Sequence, residues 1–301
     1  MSAQPQIKLT EAENALLMAY TEQVGDLPGN GDMLIARDRL ISDIKTRGLP
    51  TRRVEAWHYT DMRNLLRQVP ANTDGDVAAI EPLVSGSAVF SLENGKVARK
   101  AKAEGVTVRR IETMLEDGTG AFLMSPRGDD DAVGRINGGF LRDGLEIAVA
   151  DGAALAEPIE LQVLHSGGQS HARFVVSVGA GASARIVERQ QGNGSAQALV
   201  SSVSDLTLKA GADVTWVIVQ EQGAADTHLG QINFRLEKDA KLRLFIVNAG
   251  GKLVRQEVHG VTVGEGSDFT FRVINLLGGE SHTDVTMTLG HDVPETTSTE
   301  I

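Results

Sequence analysis

From about Ile136 onward the chain repeats itself loosely, and this is the feature that most limits what it can fold into. One turn of the repeat reads Val178-Gly-Ala-Gly-Ala-Ser-Ala-Arg-Ile-Val-Glu, and a second reads Leu208-Lys-Ala-Gly-Ala-Asp-Val-Thr-Trp-Val-Ile-Val. A third is Leu236-Glu-Lys-Asp-Ala-Lys-Leu-Arg-Leu-Phe-Ile-Val, and a fourth is Val263-Gly-Glu-Gly-Ser-Asp-Phe-Thr-Phe-Arg-Val-Ile. Aligning Gly181, Gly211, Asp239 and Glu265 gives spacings of 30, 28 and 26 residues. Each unit is a strand, a small-residue corner and a second strand, followed by a polar return such as Gln190-Gln-Gly-Asn-Gly. One such unit cannot bury its apolar side alone. Stacking the next unit on it pairs its backbone and extends the core. The pattern predicts a right-handed parallel β-helix. An antiparallel β-sandwich competes, because Asn94-Gly95 and Asn193-Gly194 could each close a hairpin.

The first 72 residues read differently, as a small α-helical N-terminal domain. Thr10 followed by Glu13 fits a capping box, with Ala12, Ala15, Leu16, Ala19 and Tyr20 at helical spacing after it. Asp32 is the expected cap of a second helix, which Gly48 and Pro50 end. A third helix starts at Thr60 or Asp61 and runs toward Pro70. Residues 73–135 form a mixed connecting region: strands around Asn94-Gly95, a short helix over 109–117, and a polar loop holding Asp129, Asp130 and Asp131. Residues 136–301 are the expected β-helix core.

Composition narrows the function classes. The formal net charge of −11 opposes a nucleic-acid role, because phosphate backbones repel an acidic surface. There are no cysteines, which excludes disulfides, thiolate nucleophiles and Cys-ligated zinc or iron–sulfur centres within the chain. No signal peptide and no membrane-length apolar run is visible, so a soluble cytoplasmic protein without membrane partners is the expectation.

No segment reads as a catalytic or cofactor-binding centre. Gly179-Ala-Gly-Ala-Ser-Ala184 matches a dinucleotide fingerprint, but the strand-like Arg185-Ile-Val-Glu follows where a helix is required. His282 and Asp284 share one face of a strand, and His291 lies nearby; these are weak metal-ligand candidates only. His165 and His171 flank an expected loop at 166–170. A carbohydrate-acting β-helix enzyme would need clustered carboxylates, yet Asp213, Glu221 and Asp226 fall on different parts of the repeat. The densest segment is Pro50-Thr-Arg-Arg-Val-Glu-Ala-Trp-His-Tyr-Thr-Asp-Met-Arg, which places Arg52, Arg53, Arg63 and Arg67 beside Trp57, His58 and Tyr59. It reads as an anchor, with Trp57 and Tyr59 fastening the helices to the β region and the arginines and Glu55 pairing around them.

This segment resembles the N-terminal signature of the SufD family, scaffold subunits of the SufBCD iron–sulfur cluster assembly complex; the signature residues are Arg53, Glu55, Trp57, Tyr59 and Thr60. Asn137-Gly-Gly-Phe-Leu-Arg-Asp-Gly and the following Pro158-Ile159 resemble the start of that family's β-helix, where a Phe-x-x-Asp-Gly strand leads to a Pro-Ile strand. Gly290-His-Asp-Val-Pro-Glu-Thr-Thr-Ser resembles a segment within it. The resemblance implies a non-catalytic scaffold that pairs with SufB through the β-helices and binds the ATPase SufC through a C-terminal helical part. The cluster is handled by the complex, and this chain alone binds no cofactor. Lack of cysteine favours SufD over its sister SufB. The sequence ends at Ile301, after a β-helix-like segment, so the partner-binding part is expected to be missing and no functional residue is carried over. An uncapped last coil is also expected to self-associate.

Overall fold

In this computed structural model, which describes residues 7–192 and 196–301, the expected capping box is present. Glu13 N donates to Thr10 Oγ1 while Thr10 N donates to the Glu13 carboxylate, and helix α1 runs Glu11–Gln23. Helix α2 spans Gly31–Arg47, capped by Asn30 rather than by Asp32. Asn30 Oδ1 accepts from the Asp32 and Met33 N–H groups, which leaves Asp32 in the first turn, where a carboxylate suits the helix dipole. Gly48, at φ 71°, ends α2. Helix α3, capped by Asp61, is only Met62–Leu65 and stops well short of Pro70.

The stretch around residues 125–140 departs from the reading of loop and strand. Asp131 is buried, accepts from Gly134 N–H and caps a helix that was not expected. Two elements precede it, strand β3 (Val106–Arg110) and helix α4 (Ile111–Glu116), and the new helix α5 is Ala132–Phe140. Asn137, Gly138 and Gly139 are poor helix formers, which hid it. The glycines serve close approach instead. A Cβ on Gly138 would lie 2.8 Å from Leu40 Cδ1, and one on Gly139 would lie 2.6 Å from Ile41 Cδ1 on α2. The Phe140-to-Gly144 segment is therefore a helix end and an irregular link, not a strand, whereas Pro158-Ile159 does open one.

Strands β1 (Ala88–Glu93) and β2 (Lys96–Lys100) form the hairpin read at Asn94-Gly95, with φ of 47° and 74° at its two turn residues. The later strands are β4 (Leu145–Val149), β5 (Ile159–His165), β6 (Gly168–Val178), β7 (Ser183–Gly192), β8 (Ala198–Leu208) and β9 (Asp213–Glu221). They continue as β10 (Thr227–Leu236), β11 (Lys241–Asn248), β12 (Leu253–Thr262), β13 (Asp268–Asn275), β14 (His282–His291) and β15 (Thr297–Glu300). Among the described residues the strands alternate between two sheets, in the orders β15-β13-β11-β9-β7-β5-β1-β2 and β14-β12-β10-β8-β6-β4-β3. The pairings from β4 and β5 onward are parallel, so the chain coils as a parallel β-solenoid of about five turns and not as a sandwich. Asn193-Gly194, the other hairpin candidate, lies outside the described residues. Strand β1 joins the coil in parallel, Ala88 opposite Ile159, while antiparallel β2 and β3 cover the first edge of each sheet.

The corners explain the repeat. Gly152, Gly181, Gly211, Asp239 and Gly266 all have φ between 57° and 74°. Each N–H donates to the coil above: Gly181 to Ala210 O at 2.9 Å, Gly211 to Lys238 O at 2.8 Å, Asp239 to Glu265 O at 2.9 Å. The fourth corner is thus Gly266, one residue after the aligned Glu265, because the left-handed position goes to glycine and Glu265 supplies the accepting carbonyl. Between the sheets, inward residues stack coil on coil, as in Ile159, Ile186, Trp216, Leu244 and Phe271.

Candidate functional site

Outward-facing residues of the second sheet form a row across five coils: His171, Ser201, Leu229, Arg255 and Asp284. The helical unit lies on this row. At one end Asn137 Nδ2, from α5, donates to Ala172 O at 2.9 Å and Ser201 Oγ at 3.0 Å. The His171 ring stacks on Phe140 at 5.1 Å, and burial pushes its pKa down to about 3, so it stays neutral. At the other end Arg255, 1% exposed, sits 4.5 Å over the Trp57 ring. It donates to Ala56 O at 2.5 Å and Glu257 Oε1 at 3.1 Å, and it pairs with Asp284. Thr60 Oγ1 donates to Asp284 Oδ2 at 2.5 Å and so accepts from His282 Nε2 at 3.1 Å. Trp57 Nε1 donates to Asp130 O at 3.0 Å.

The signature is therefore an anchor, but not quite the expected one. Trp57 and Thr60 are fully buried, whereas Tyr59 is 71% exposed beside His58 and fastens nothing. Arg52, Arg53, Glu55 and Arg67 are on the surface. The cation that pairs around Trp57 is Arg255, from the solenoid. Arg63 turns the other way, its Nε 2.8 Å from Glu13 Oε1. Burial alone would raise the Glu13 carboxyl, but the Thr10 and Leu49 N–H groups and Arg63 together hold it below its ordinary value. Arg37, not singled out from the sequence, is buried and donates to the carbonyls of Gly138, Gly139, Leu141 and Pro28, closing the C-terminal end of α5. Its spacing on α2 with buried Met33, Leu40 and Ile44 was the available signal.

The metal candidates are not brought together. His282 and Asp284 do share a face, but both are tied to Thr60. His291 is at the other end of β14, about 30 Å along the strand. Among the described residues no group of three or more His, Cys, Asp or Glu is placed to hold a metal. The carboxylates are equally dispersed: Asp213 pairs with Arg243, Glu221 with Arg189, and Asp226 is buried. Gly179–Ala184 is a coil corner that runs into β7, with no helix start for a pyrophosphate. His165 ends β5 and His171 lies inside β6, so the expected loop between them shrinks to Ser166-Gly167.

Inside the coil, one end of the core is polar. Glu188 is buried and accepts from Gln190 Nε2 at 2.7 Å, Ser202 Oγ at 2.8 Å and Ser204 Oγ at 3.1 Å; burial raises its pKa. His165 Nδ1 accepts from Gly167 N–H, so Nε2 carries the proton toward Gln222 Oε1 at 2.5 Å. Burial drives His228 to about 3, and neither of its ring nitrogens has a protein partner. The same holds for Ser170 Oγ and for the oxygens of Gln190, Gln220 and Asn248. It holds also for Nε2 of Gln222 and Gln256, which makes eight atoms at this end. Left dry, each costs about 1–3 kcal/mol. Together they would rival the roughly 5–15 kcal/mol that stabilises a whole domain.

This arrangement positions, anchors and stacks. No helix among the described residues is long and apolar enough to cross a membrane. No curated protein matches the chain. Residues 162–301, just under half of the chain, match the family model described as SUF system FeS cluster assembly, SufBD core domain. The match begins in β5 and covers the coils from there on, without separating SufD from SufB. On this match the coiled half of the chain is similar to the core domain of the SufB/SufD family of iron–sulfur cluster assembly.

Proposed function

We propose that the chain is a non-catalytic scaffold subunit of iron–sulfur cluster assembly, SufD-like in its chemistry, working with SufB-like and SufC-like subunits. The observation that carries this reading is the core-domain match over the coils. The lack of cysteine supports the SufD-like side of it, because a chain without thiolates supplies none of the usual ligands to a cluster. The cluster is then cargo of the assembled complex and not a resident group of this chain. Co-expression with SufB-like and SufC-like subunits, followed by affinity purification and cluster reconstitution, tests it. The expected result is a co-purifying complex that acquires cluster absorbance while the isolated chain acquires none and binds no ATP. Stoichiometric ATP binding by the isolated chain, or no association with either subunit, overturns it.

A further inference from the structure

We propose that the polar end of the solenoid interior is a built water site, with a connected file of ordered waters running along the coil axis from β5–β6 to β11–β12. The unpartnered atoms gather at one end of the coil, with Val200 between Ser170 and His228 in their row. Gln190, Gln220 and Asn248 follow one another across neighbouring first-sheet strands. Opposite them, Ser170 and His228 share one row of the second sheet, and Gln256 occupies the adjacent inward row. All are buried and face the interior.

Their chemistry selects the ligand. The free amide oxygens accept, the free Nε2 groups of Gln222 and Gln256 donate, and a neutral imidazole does one of each. A cation has no use for the donors and an anion none for the acceptors. Water serves both. The row holding Ala172, Ser202 and Gly230 carries smaller side chains than Val176, Leu206 and Phe234 at the apolar end of the same strands, and the Gln256 amide reaches over Gly230. At about three hydrogen bonds per buried water, the eight atoms engage about three waters or more. This inference stands apart from the scaffold role.

Water oxygen-17 and deuteron magnetic relaxation dispersion on the full chain, with metal analysis of the same preparation, tests it. At least about three long-lived internal waters are expected. His228→Leu, which removes both ring nitrogens, and Gln220→Leu are each expected to lose at least one while keeping the wild-type far-ultraviolet circular dichroism. Should one variant fail to fold, the other and the wild-type count still decide. An absence of long-lived waters, or an unchanged count in the folded variants, overturns the proposal. So does a stoichiometric divalent metal in the purified chain that disappears with His228→Leu.

Discussion

Arg255 joins four groups at once: the Trp57 ring, the Ala56 carbonyl, Glu257 and Asp284. Its removal would leave two carboxylates buried without a counter-charge. Arg255→Met is expected to lower unfolding stability by about 3–5 kcal/mol, read from urea midpoints. Adding Asp284→Asn is expected to return part of the loss, and independent, additive effects would show that the two do not act as a pair. Two buried histidines set a pH dependence. His171 and His228 have native pKa values near 3, against the ordinary 6.5 that applies when the chain is unfolded. Above pH 6.5 both states are neutral and nothing is lost. As the pH falls below 6.5 only the unfolded chain takes up protons, so stability drops by up to about 1.4 kcal/mol per pH unit for each histidine. Glu188, raised by burial, acts oppositely: its contribution is present below its ordinary value and is lost as the pH rises. The difference in slope between wild type and His171→Phe from pH 7.5 to 5 therefore isolates His171, and equal slopes would contradict its burial as a neutral ring. Of these residues only Trp57 was legible as an anchor; Thr60 was read as a signature residue and a helix start. Arg255 lies 199 residues from the carbonyl it meets, and no local spacing reports that. Tyr59 misled because a short 3-10 turn at Glu55–Trp57 directs Trp57 inward and leaves Tyr59 outside.

Corners and helix contacts decide which elements form. The corner at Gly211 has φ 68° and donates to the coil above it. Gly211→Val forces a β-branched residue into the left-handed region and is expected to cost about 1–3 kcal/mol in chemical unfolding. The contrasting site is Asp239, which already accepts φ 57°; Asp239→Gly is expected to change stability by less than about 1 kcal/mol. Similar losses at both corners would count against the left-handed corner as the rule of the repeat. Strands and corners were readable because they recur. Helix α5 was not, because its glycines are chosen for contact with Leu40 and Ile41 against their own helix propensity.

At the scale of the whole molecule the two ends of the coil differ. Antiparallel β2 and β3 close one end, while β14 and β15 are the last strands of their sheets among the described residues. Beside them Ile274, Leu276 and Leu277 are 58%, 62% and 60% exposed. Exposed apolar side chains this close together favour association, so the chain is expected to self-associate with rising concentration in sedimentation velocity, and Leu277→Lys is expected to weaken this. A sedimentation coefficient for the wild type independent of concentration would refute it. The repeat by itself pointed to a stacked coil and placed its corners to within a residue, because half-buried units share a core by stacking; that the strands pair in parallel and not as a sandwich was decided by the tertiary structure. Tertiary structure alone decided what the polar residues do. His282 and Asp284 share a strand face as their spacing says, but Thr60 and Arg255 claim them for an anchor. His165, Glu188 and His228 look like ordinary polar residues in sequence, yet the coil turns them inward. Burial and pairing depend on segments that meet only once the helices lie on the finished coil.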